Sequence, residues 1–490
     1  MDASYIIILG FISGWILLYR SKTERYFNTF YILRSSAGIR VIDRLSKILP
    51  GLWKFMADFS VLLSFGGLGG YYLSLRDETR KNMQKGILLL GIIIFPVFIA
   101  IGVSQSILIA FILTVIAIIF LSARMRSPTM DFALTTFFIA FIVMALSGQT
   151  ILSLLVGMFG LPSLLIYGLV THAMTILYGE TNLPGVSPLV PTAREGKVGV
   201  FFPGYDIFIP WWHALVAIII TLVSHEASHG VLTRVCNVKL KSTGLLTLGA
   251  LPIGAFVEPD EEELEKRSDI DRMRVYTMGS FANLVVGLTL AVFLMGSMAV
   301  LAGYVQSEGV RIVGFVEDYP AQDYLVKDSI IYSINGISST DISGFYNATS
   351  DLLANEEVTL NTSAGVFSFI LGENRDAPGK GYMGVYIQED FILKGSLGFM
   401  SLESISFFLT MIEWIIFFNI NIALVNLLPI LPFDGGRMFK EVVLTFNLTE
   451  VNVKRVLYSI IVFTAVVFMV NTLPLFMMIG DYVFSVIGLA

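Results

Sequence analysis

The stretch TLVSHEASHGVLTR (221–234) carries two histidines and a glutamate inside an apolar run. His225 and His229 are four residues apart, so on a helix they lie within about 40° of each other and both imidazoles can reach one metal ion. Glu226 lies about 100° round from His225, beside such an ion rather than on it. There it can accept a proton from a water molecule and deliver it to a leaving amine. The pattern H-E-x-x-H therefore predicts a zinc hydrolase that cuts amide bonds.

A simpler interpretation is that these three side chains line a polar contact between helices. The surrounding segment, WWHALVAIIITLVSHEASHG (211–230), argues against it. A carboxylate at membrane depth costs roughly 3 kcal/mol or more unless it is paired or faces a wet cavity. The apolar context therefore favours a functional role.

A catalytic zinc site uses three protein ligands and a water molecule, so the two histidines need a third partner. The other histidines are His172 and His213, and Cys236 is the single cysteine, so a carboxylate in a second membrane segment is the natural candidate. Asp434 lies in NIALVNLLPILPFDGGRMFKEVV (421–443), where prolines interrupt an apolar helix. Broken helices at membrane depth are tolerated where they line a cavity. The alternative interpretation of P-F-D-G-G is an ordinary turn at the membrane interface.

Composition sets the protein class. Of the 490 residues, 55% are hydrophobic and 14% are charged, against about 25% charged residues in an ordinary soluble domain. Apolar runs long enough to cross a bilayer recur along the chain, which predicts a polytopic α-helical membrane protein. The net charge of −6 and the absence of a dense basic block predict no nucleic-acid partner. A single cysteine excludes an intramolecular disulfide.

The first zone, 1–178, is predicted to consist of N-terminal membrane helices. Its N-terminus reads as a retained helix rather than a signal peptide. The segment 53–75 contains FGGLGG and has basic flanks, so we expect it to be interfacial or re-entrant. GMFGLP (157–162) is a candidate break within the last span. The spans are expected near 5–19, 86–103, 106–122, 131–148 and 150–178.

The rest of the chain divides into three further zones. Residues 179–302 comprise a turn-rich loop, a span at about 211–236, an acidic connector and a span at about 275–302. Residues 303–398 show short alternating apolar runs such as VTLNTS, which predict a small β-rich domain outside the membrane. Residues 399–490 return to apolar character, with spans expected near 404–429, 455–472 and 475–489.

Several motifs together resemble the site-2 protease family of intramembrane zinc metalloproteases. HEASHG (225–230) and NLLPILPFDGGR (426–437) resemble its two metal-binding motifs, and GSFANLVVG (279–287) is similar to its G-x-x-x-N helix. GALPIGAFVEPDEEEL (249–264) resembles the hairpin that the family places beside the active site. The β-rich insert resembles the PDZ domain of many members. The resemblance covers residues 200–450, and the N-terminal spans lie outside it.

The resemblance implies hydrolysis of a peptide bond in or near a transmembrane segment of another membrane protein, as in regulated intramembrane proteolysis. The fold class it implies is a polytopic α-helical membrane protein with an inserted small β-rich (PDZ-like) extramembrane domain. One zinc ion per chain is expected. The implied residues are the ligands His225, His229 and Asp434, the general base Glu226, and Asn283 and Asn426, which hold the substrate backbone or the catalytic groups.

This chain departs from the family pattern at Ser280, where proline is frequent, and at Phe433, where leucine is common; neither position is an implied ligand. Basic N-terminal loops place the active site nearer the cytoplasmic face and the insert on the opposite side. The sequons at Asn347 and Asn361 fit an external insert, although chance produces such sequons often. The insert either screens substrates or binds a chain end, or is a plain structural cap.

Two alternative functions belong to other classes. A metal-ion transporter also places histidine and aspartate inside helices, but it needs several ligand groups along a conduction path. A non-catalytic membrane adaptor could use the PDZ-like domain and would not need Glu226 together with both ligand motifs. Replacing Glu226 by glutamine separates these ideas, because a protease keeps its zinc and loses cleavage. The substrate, the host membrane and the oligomeric state are not encoded in any of these patterns.

Overall fold

The computed structural model describes residues 12–19, 24–26, 30–194, 196–248, 251–395, 398 and 400–486. Within this part of the chain, seven helices are long and apolar enough to cross a membrane, or up to eight if one bent pair counts as a span. The chain separates into two compact units, Met1–Ala291 with Glu413–Ala490, and Val292–Ile412. The prediction of many membrane-length helices is confirmed.

The helices are α1 (12–19), α2 (Ala37–Lys47), α3 (Pro50–Ser74), α4 (Asp77–Ala100), α5 (Gln105–Arg124), α6 (Pro128–Ser147), α7 (Thr150–Phe159), α8 (Pro162–Leu177), α9 (Trp211–Val235), α10 (Glu261–Glu265), α11 (Asp269–Leu301), α12 (Ala321–Tyr324), α13 (Ile342–Thr349), α14 (Leu402–Asn426), α15 (Asp434–Leu444) and α16 (Glu450–Val486). Helices α4, α5 and α6 match three predicted spans. The predicted span at 5–19 ends in α1, and its residues 5–11 lie outside the described part.

The strands are β1 (Glu24–Tyr26), β2 (Phe30–Ser35), β3 (Val190–Arg194), β4 (Lys197–Phe201), β5 (Phe208–Pro210), β6 (Leu240–Leu248), β7 (Leu251–Pro259), β8 (Val305–Phe315), β9 (Ile330–Ile334), β10 (Ile337–Ser338), β11 (Glu357–Thr362), β12 (Gly365–Ile370), β13 (Gly372–Glu373), β14 (Gly381–Tyr382) and β15 (Val385–Leu393). They form separate small sheets. The turn-rich loop at 179–210 has no helix in its described residues, 179–194 and 196–210, as predicted. It contains the antiparallel sheet β3–β4–β5, which its prolines and glycines did not reveal.

Two glycine-rich segments interlock in the first unit. Gly66 interrupts α3 with a φ of 54°, and Gly160 separates α7 from α8 with a φ of 79°. A Cβ on Gly66 would lie 2.7 Å from the Val156 carbonyl oxygen, so only glycine fits this crossing. The Leu161 amide donates to the Leu63 carbonyl across the same contact at 3.0 Å. The predicted break at 157–162 is therefore confirmed, and its partner is the FGGLGG segment.

Helix α3 lies along α11 through buried polar contacts. The Arg274 guanidinium donates two hydrogen bonds to the Asp58 carboxylate, at 2.7 and 2.8 Å, and both side chains are buried. Asn82 of α4 also donates to Asp58, at 2.7 Å. The ring of Phe59 meets that of Phe281 edge-on at 6.0 Å. A paired carboxylate at this depth avoids most of the cost of burying a charge, so Asp58 ties the N-terminal helices to α11.

Two predicted boundaries were wrong. The spans expected at 455–472 and 475–489 form one continuous helix, α16, which contains Pro474; residues 487–489 lie outside the described part. Proline removes a single intrahelical hydrogen bond, and helices in apolar surroundings tolerate it. The span expected from 275 begins at Asp269, because the basic and acidic residues there continue α11 outside its apolar part.

The sheet nearest to α9, the helix that carries HEASH, has the order β1–β2–β6–β7, and each pair of neighbouring strands in it is antiparallel. Strand β7 is at its edge. Within the stretch 249–264, where a hairpin was expected, the structure has β7 and the start of α10, and the strand that pairs with β7 is β6, which precedes this stretch. Residues 249 and 250 lie outside the described part. The pairing with β2 was not apparent in the sequence because it joins residues about two hundred positions apart.

The second unit has a sheet with the order β12–β11–β9–β8–β15, with β10 paired to β9. Alternation is clear in β11, where Val358, Leu360 and Thr362 are buried between more exposed neighbours. Val310 and Ile331, on β8 and β9, are fully buried in the same apolar core. A small β-rich unit is thus present where strand patterning predicted it. Its likeness to a PDZ domain stays a prediction.

Candidate metal centre and active site

Helix α9 brings the two histidines of the opening motif together. The Nε2 atoms of His225 and His229 are 3.1 Å apart, and their rings are 4.7 Å apart between centroids. His225 is buried in the unit, whereas His229 is partly exposed to a cavity. The four-residue spacing thus places two imidazole nitrogens at one point, as the helical periodicity predicts.

Asp434, the first residue of α15, completes the group. Its Oδ2 lies 3.1 Å from His229 Nε2 and 3.2 Å from His225 Nε2. The chain turns tightly before it: a Cβ on Gly435 would lie 2.5 Å from the Leu428 carbonyl oxygen. The glycines of the P-F-D-G-G motif therefore allow the backbone to fold back and deliver the carboxylate.

The three ligand atoms suit a small tetrahedral ion. Their mutual distances of 3.1, 3.1 and 3.2 Å form a nearly equilateral triangle. Nitrogen and oxygen ligands held about 2.0–2.1 Å from zinc in a tetrahedral site are about 3.3 Å apart. In the described part of the chain, this is the one group of three or more such side chains that can hold a metal ion. The geometry and donor set fit zinc.

Helix α11 orients both imidazoles. The Val275 carbonyl oxygen lies 2.7 Å from His229 Nδ1. Because a carbonyl accepts hydrogen bonds only, Nδ1 carries the proton and Nε2 presents its lone pair to the ion position. The side-chain nitrogen of Asn283 lies 3.3 Å from His225 Nδ1, and its side-chain oxygen accepts a hydrogen bond of 2.8 Å from Ser224 Oγ. Asn283 therefore fixes the orientation of the His225 ring.

Glu226 is held by the edge of the sheet. Its Oε2 accepts a hydrogen bond of 3.1 Å from the backbone N–H of Val257, in β7. The carboxylate projects into the same cavity as the histidines. A residue one position from His225 thus lies beside the ligand triangle without being part of it, which is the arrangement that H-E-x-x-H predicts.

These groups share a cavity of about 350 Å³. Its walls come from α9, β7, α11, α14 and the segment that begins α15, and its lining residues include His225, Glu226, His229, Tyr276, Asn426, Asp434 and Arg437. Asn426 lines this cavity, whereas Asn283 is fully buried behind His225. The structure therefore brings all six predicted residues to one place, but gives the two asparagines different surroundings.

A second, apolar groove reaches Glu226 from another direction. It has a volume of about 480 Å³ and is lined by α2, α9 and strands β2, β6 and β7. Val41, Val223 and Leu245 line it and expose 57%, 52% and 41% of their surfaces. Glu226 and Val257 line both this groove and the polar cavity, so the carboxylate lies where the two meet.

Sequence reasoning missed several residues that shape the site. A Cβ on Gly279 would lie 2.7 Å from His225 Nε2, so α11 can approach the ligands only because it lacks a side chain there. Arg437 stacks over the Tyr276 ring at 5.5 Å. Arg272 donates to Glu441 at 2.7 and 2.9 Å, which holds α15 against α11. The glycine of G-x-x-x-N was the available signal for the first of these.

Comparison with known proteins gives two matches. The sequence profile described as peptidase family M50 matches residues 213–470, more than half of the chain. An uncharacterized protein of Methanocaldococcus jannaschii is 30% identical over 282 residues, which are 57% of this chain and 69% of that protein. The matched region contains all six predicted site residues: His225, Glu226, His229, Asn283, Asn426 and Asp434.

Proposed function

The chain belongs to peptidase family M50, and from this premise we propose that it is an intramembrane zinc metalloendopeptidase. It hydrolyses a peptide bond in or near a transmembrane segment of another membrane protein. The observation that carries the proposal is the triangle of His225, His229 and Asp434 ligand atoms, 3.1–3.2 Å apart, beside Glu226 in one cavity.

His225, His229 and Asp434 would hold one zinc ion per chain. Bound zinc supplies Lewis-acid chemistry, because it polarises a carbonyl and lowers the pKa of a bound water toward about 7. The Val275 carbonyl keeps the His229 imidazole in the tautomer that binds metal through Nε2, and Asn283 fixes the orientation of the His225 ring. Helix α11 thereby prepares the site before any ion arrives.

Glu226 moves the proton. Its carboxylate takes a proton from the attacking water while the water oxygen bonds to the peptide carbonyl carbon. It then gives that proton to the peptide nitrogen as the C–N bond breaks, so the glutamate ends the cycle ionised. The Val257 N–H stabilises the ionised carboxylate and restrains its position. The products are one new carboxyl group and one new amine.

The substrate must be unwound, because a helical segment has its peptide groups hydrogen-bonded internally. Strand β7, at the edge of its sheet and joined to Glu226 through Val257, offers backbone partners to an extended chain by strand addition. Asn426, in the cavity wall, adds a side-chain amide for the same purpose. The apolar groove beside α2 accommodates apolar side chains that flank the scissile bond.

The proposal retains the expected orientation, with the active site nearer the cytoplasmic face and the β-rich, PDZ-like unit outside the membrane on the other side. Exposed Arg40, Arg44 and Lys47 on α2 support it through the bias of basic residues toward the cytoplasm. Participation in regulated intramembrane proteolysis, with the β-rich unit selecting substrates, belongs to the same proposal.

The test compares zinc content and cleavage in the full chain purified in detergent. Wild type is expected to hold one zinc ion per chain by elemental analysis and to cut an unstructured fluorescent reporter polypeptide. Asp434→Ala should lose most of the zinc, and Glu226→Gln should keep the zinc and lose cleavage. Wild type without zinc, or Asp434→Ala with unchanged zinc, would refute the composite site. Cleavage that survives in Glu226→Gln would refute its role as the base.

A further inference from the structure

A large cavity in the first unit is separate from the catalytic one. It has a volume of about 910 Å³ and shares no lining residue with the cavity that contains Glu226. It lies where the ends of α2 and α9 meet the segment that leads into β6 and the region of α10. Its lining residues are Asp43, Ser46, Lys47, Pro50, Arg234, Val235, Asn237, Val238, Lys239, Glu263, Lys266 and Arg267, which we call the basic cleft.

Positive charge is in excess in the basic cleft, since five basic residues face two acidic ones. Arg234 pairs with Asp43 at 2.5 Å, and Lys239 pairs with Glu263 at 3.0 Å. The backbone N–H of Lys239 also donates a hydrogen bond to the Glu263 carboxylate. This hydrogen bond and the lysine side chain lower the pKa of Glu263, so its carboxylate is ionised and offsets one positive charge. Three positive charges are left over.

Two of these remaining charges have no acidic partner. Lys47 and Lys266 are exposed, and neither makes an ion pair with any part of the chain that the structure describes. Arg267 is committed only to the neutral Asn237 carbonyl. A cleft lined by two exposed ammonium groups and a guanidinium has the chemistry that binds phosphate oxygens.

The adjoining helix α2 has the character of a membrane-surface helix. Helices α2 and α3 are the bent pair that could count together as one span, and the angle between them is 95°. Its exposed apolar side chains are Val41 at 57% and Leu45 at 37%, followed by Ile48 at 57%. Exposed basic residues flank them. An apolar stripe edged by lysine and arginine is typical of helices that lie in the headgroup region.

Helix α2 is anchored to the membrane-length helix α9. Buried Ile42 packs against Gly230, where an added Cβ would lie 2.8 Å from the Ile42 Cδ1 atom. Arg234, in the last turn of α9, forms part of the cleft wall. The cleft is therefore at the end of a candidate spanning helix and beside a helix with the pattern of a membrane-surface helix, a position that corresponds to headgroup depth when α9 spans the membrane.

We propose that the basic cleft binds the phosphate group of an anionic phospholipid. Lys47 and Lys266 hold the phosphate oxygens, and the acyl chains lie along the exposed apolar side chains that follow α2, namely Ile48, Leu49 and Leu52. The same segment supplies both parts, because Lys47 and Pro50 line the cleft and Leu49 and Leu52, beside them, are 65% and 49% exposed. This apolar surface favours a lipid over free phosphate, which would leave it uncovered. The site does not depend on peptidase activity.

The experiment uses the full chain in detergent micelles and native mass spectrometry to measure bound lipid. Dioleoylphosphatidylglycerol is titrated first, then dioleoylphosphatidylcholine, and finally inorganic phosphate in excess is added to the phosphatidylglycerol complex. The test variant is Lys47→Gln with Lys266→Gln, both exposed and unpaired, so the fold should be unaffected. Its matched control, Lys81→Gln with Lys85→Gln, removes the same charge from exposed positions of α4 outside the cleft.

Wild type should bind phosphatidylglycerol more tightly than phosphatidylcholine. The cleft variant should bind it roughly 30-fold more weakly, which corresponds to about 1 kcal/mol for each basic residue near an anionic headgroup. The control should bind like wild type. Equal binding by the cleft variant and the control, or equal affinity for both lipids, would overturn the proposal. Displacement of the lipid by inorganic phosphate would show a free-phosphate site and would also overturn it.

Discussion

The sharpest prediction concerns Gly279, which faces the metal position from α11. A Cβ at this position would lie 2.7 Å from both Nε2 and Cε1 of His225, and it would also overlap His229 Nε2. Carbon approaches other heavy atoms at about 3.5–4.0 Å, so Gly279→Ala requires α11 and α9 to separate by about 0.8 Å or more. Zinc sites tolerate errors of about 0.2 Å in ligand position. The displacement therefore exceeds what the site can absorb.

The expected effect is a loss of zinc affinity of roughly 100-fold, at the upper end of what disturbed ligand orientation produces. Zinc affinity is measured by competition with a chromogenic chelator in detergent, and cleavage of the reporter should fall in parallel. The fold itself should survive, because overpacking of this size costs about 1–3 kcal/mol. Near-native helical circular dichroism and elution volume would verify that point.

Gly287→Ala is the matched control on the same helix. Its added Cβ would lie 2.8 Å from Cγ1 of Ile420, a side chain that can shift without moving any ligand. Zinc affinity should remain at the wild-type value. If Gly279→Ala binds zinc as tightly as wild type, the close approach of α11 to the ligands is not a constraint on the site. If both variants lose zinc equally, the cause is general helix packing rather than the position of Gly279.

Three other perturbations have defined outcomes. Asp58→Asn removes the buried partner of Arg274, which keeps only its longer contacts to Glu78 and Asp271. The free energy of unfolding in dodecyl sulfate should fall by about 3 kcal/mol, the lower end of the range for breaking a buried pair. Asp58→Leu with Arg274→Met should recover most of that loss, and equal stability of both variants would contradict the pair's role. Asn283→Leu should weaken zinc binding about 10–100-fold. Asn426→Ala should keep zinc and raise KM for the reporter. Identical effects of the two variants would show that the different surroundings of the two asparagines are irrelevant. Removal of metal by a chelator should abolish cleavage by the wild type, and added zinc should restore it. Added zinc should produce no cleavage in Glu226→Gln. Activity that persists without metal would exclude a metallopeptidase.

Local sequence patterns predicted the site residues better than they predicted the contacts that hold those residues in place. The four-residue spacing of the histidines determines their common face wherever the helix lies. The shortage of histidine and cysteine ligands calls for a carboxylate, and the broken apolar helix and the family resemblance then point to Asp434. The Asp58–Arg274 pair and the crossing of Gly66 with Gly160 join residues far apart in the chain. Neither charge patterning nor a glycine count specifies which distant partner each one meets. Pro474 misled because proline is read as a helix end, although α16 continues through it.

The buried Asp58–Arg274 pair also connects helices outside the matched family region with the proposed active site. Arg274 precedes Val275, whose carbonyl orients His229, so the carboxylate of Asp58 restrains the backbone that sets the histidine tautomer. Ser60 and Thr277, 2.5 Å apart through their hydroxyl oxygens, continue the same contact toward Gly279. Helix α3 therefore stabilises the stretch of α11 that approaches both imidazoles. Without α3, the Arg274 guanidinium would lose its two shortest ionic contacts and keep only Glu78 at 3.3 Å and Asp271 at 3.5 Å, and the stretch of α11 beside the proposed zinc ligands would lose its neighbour.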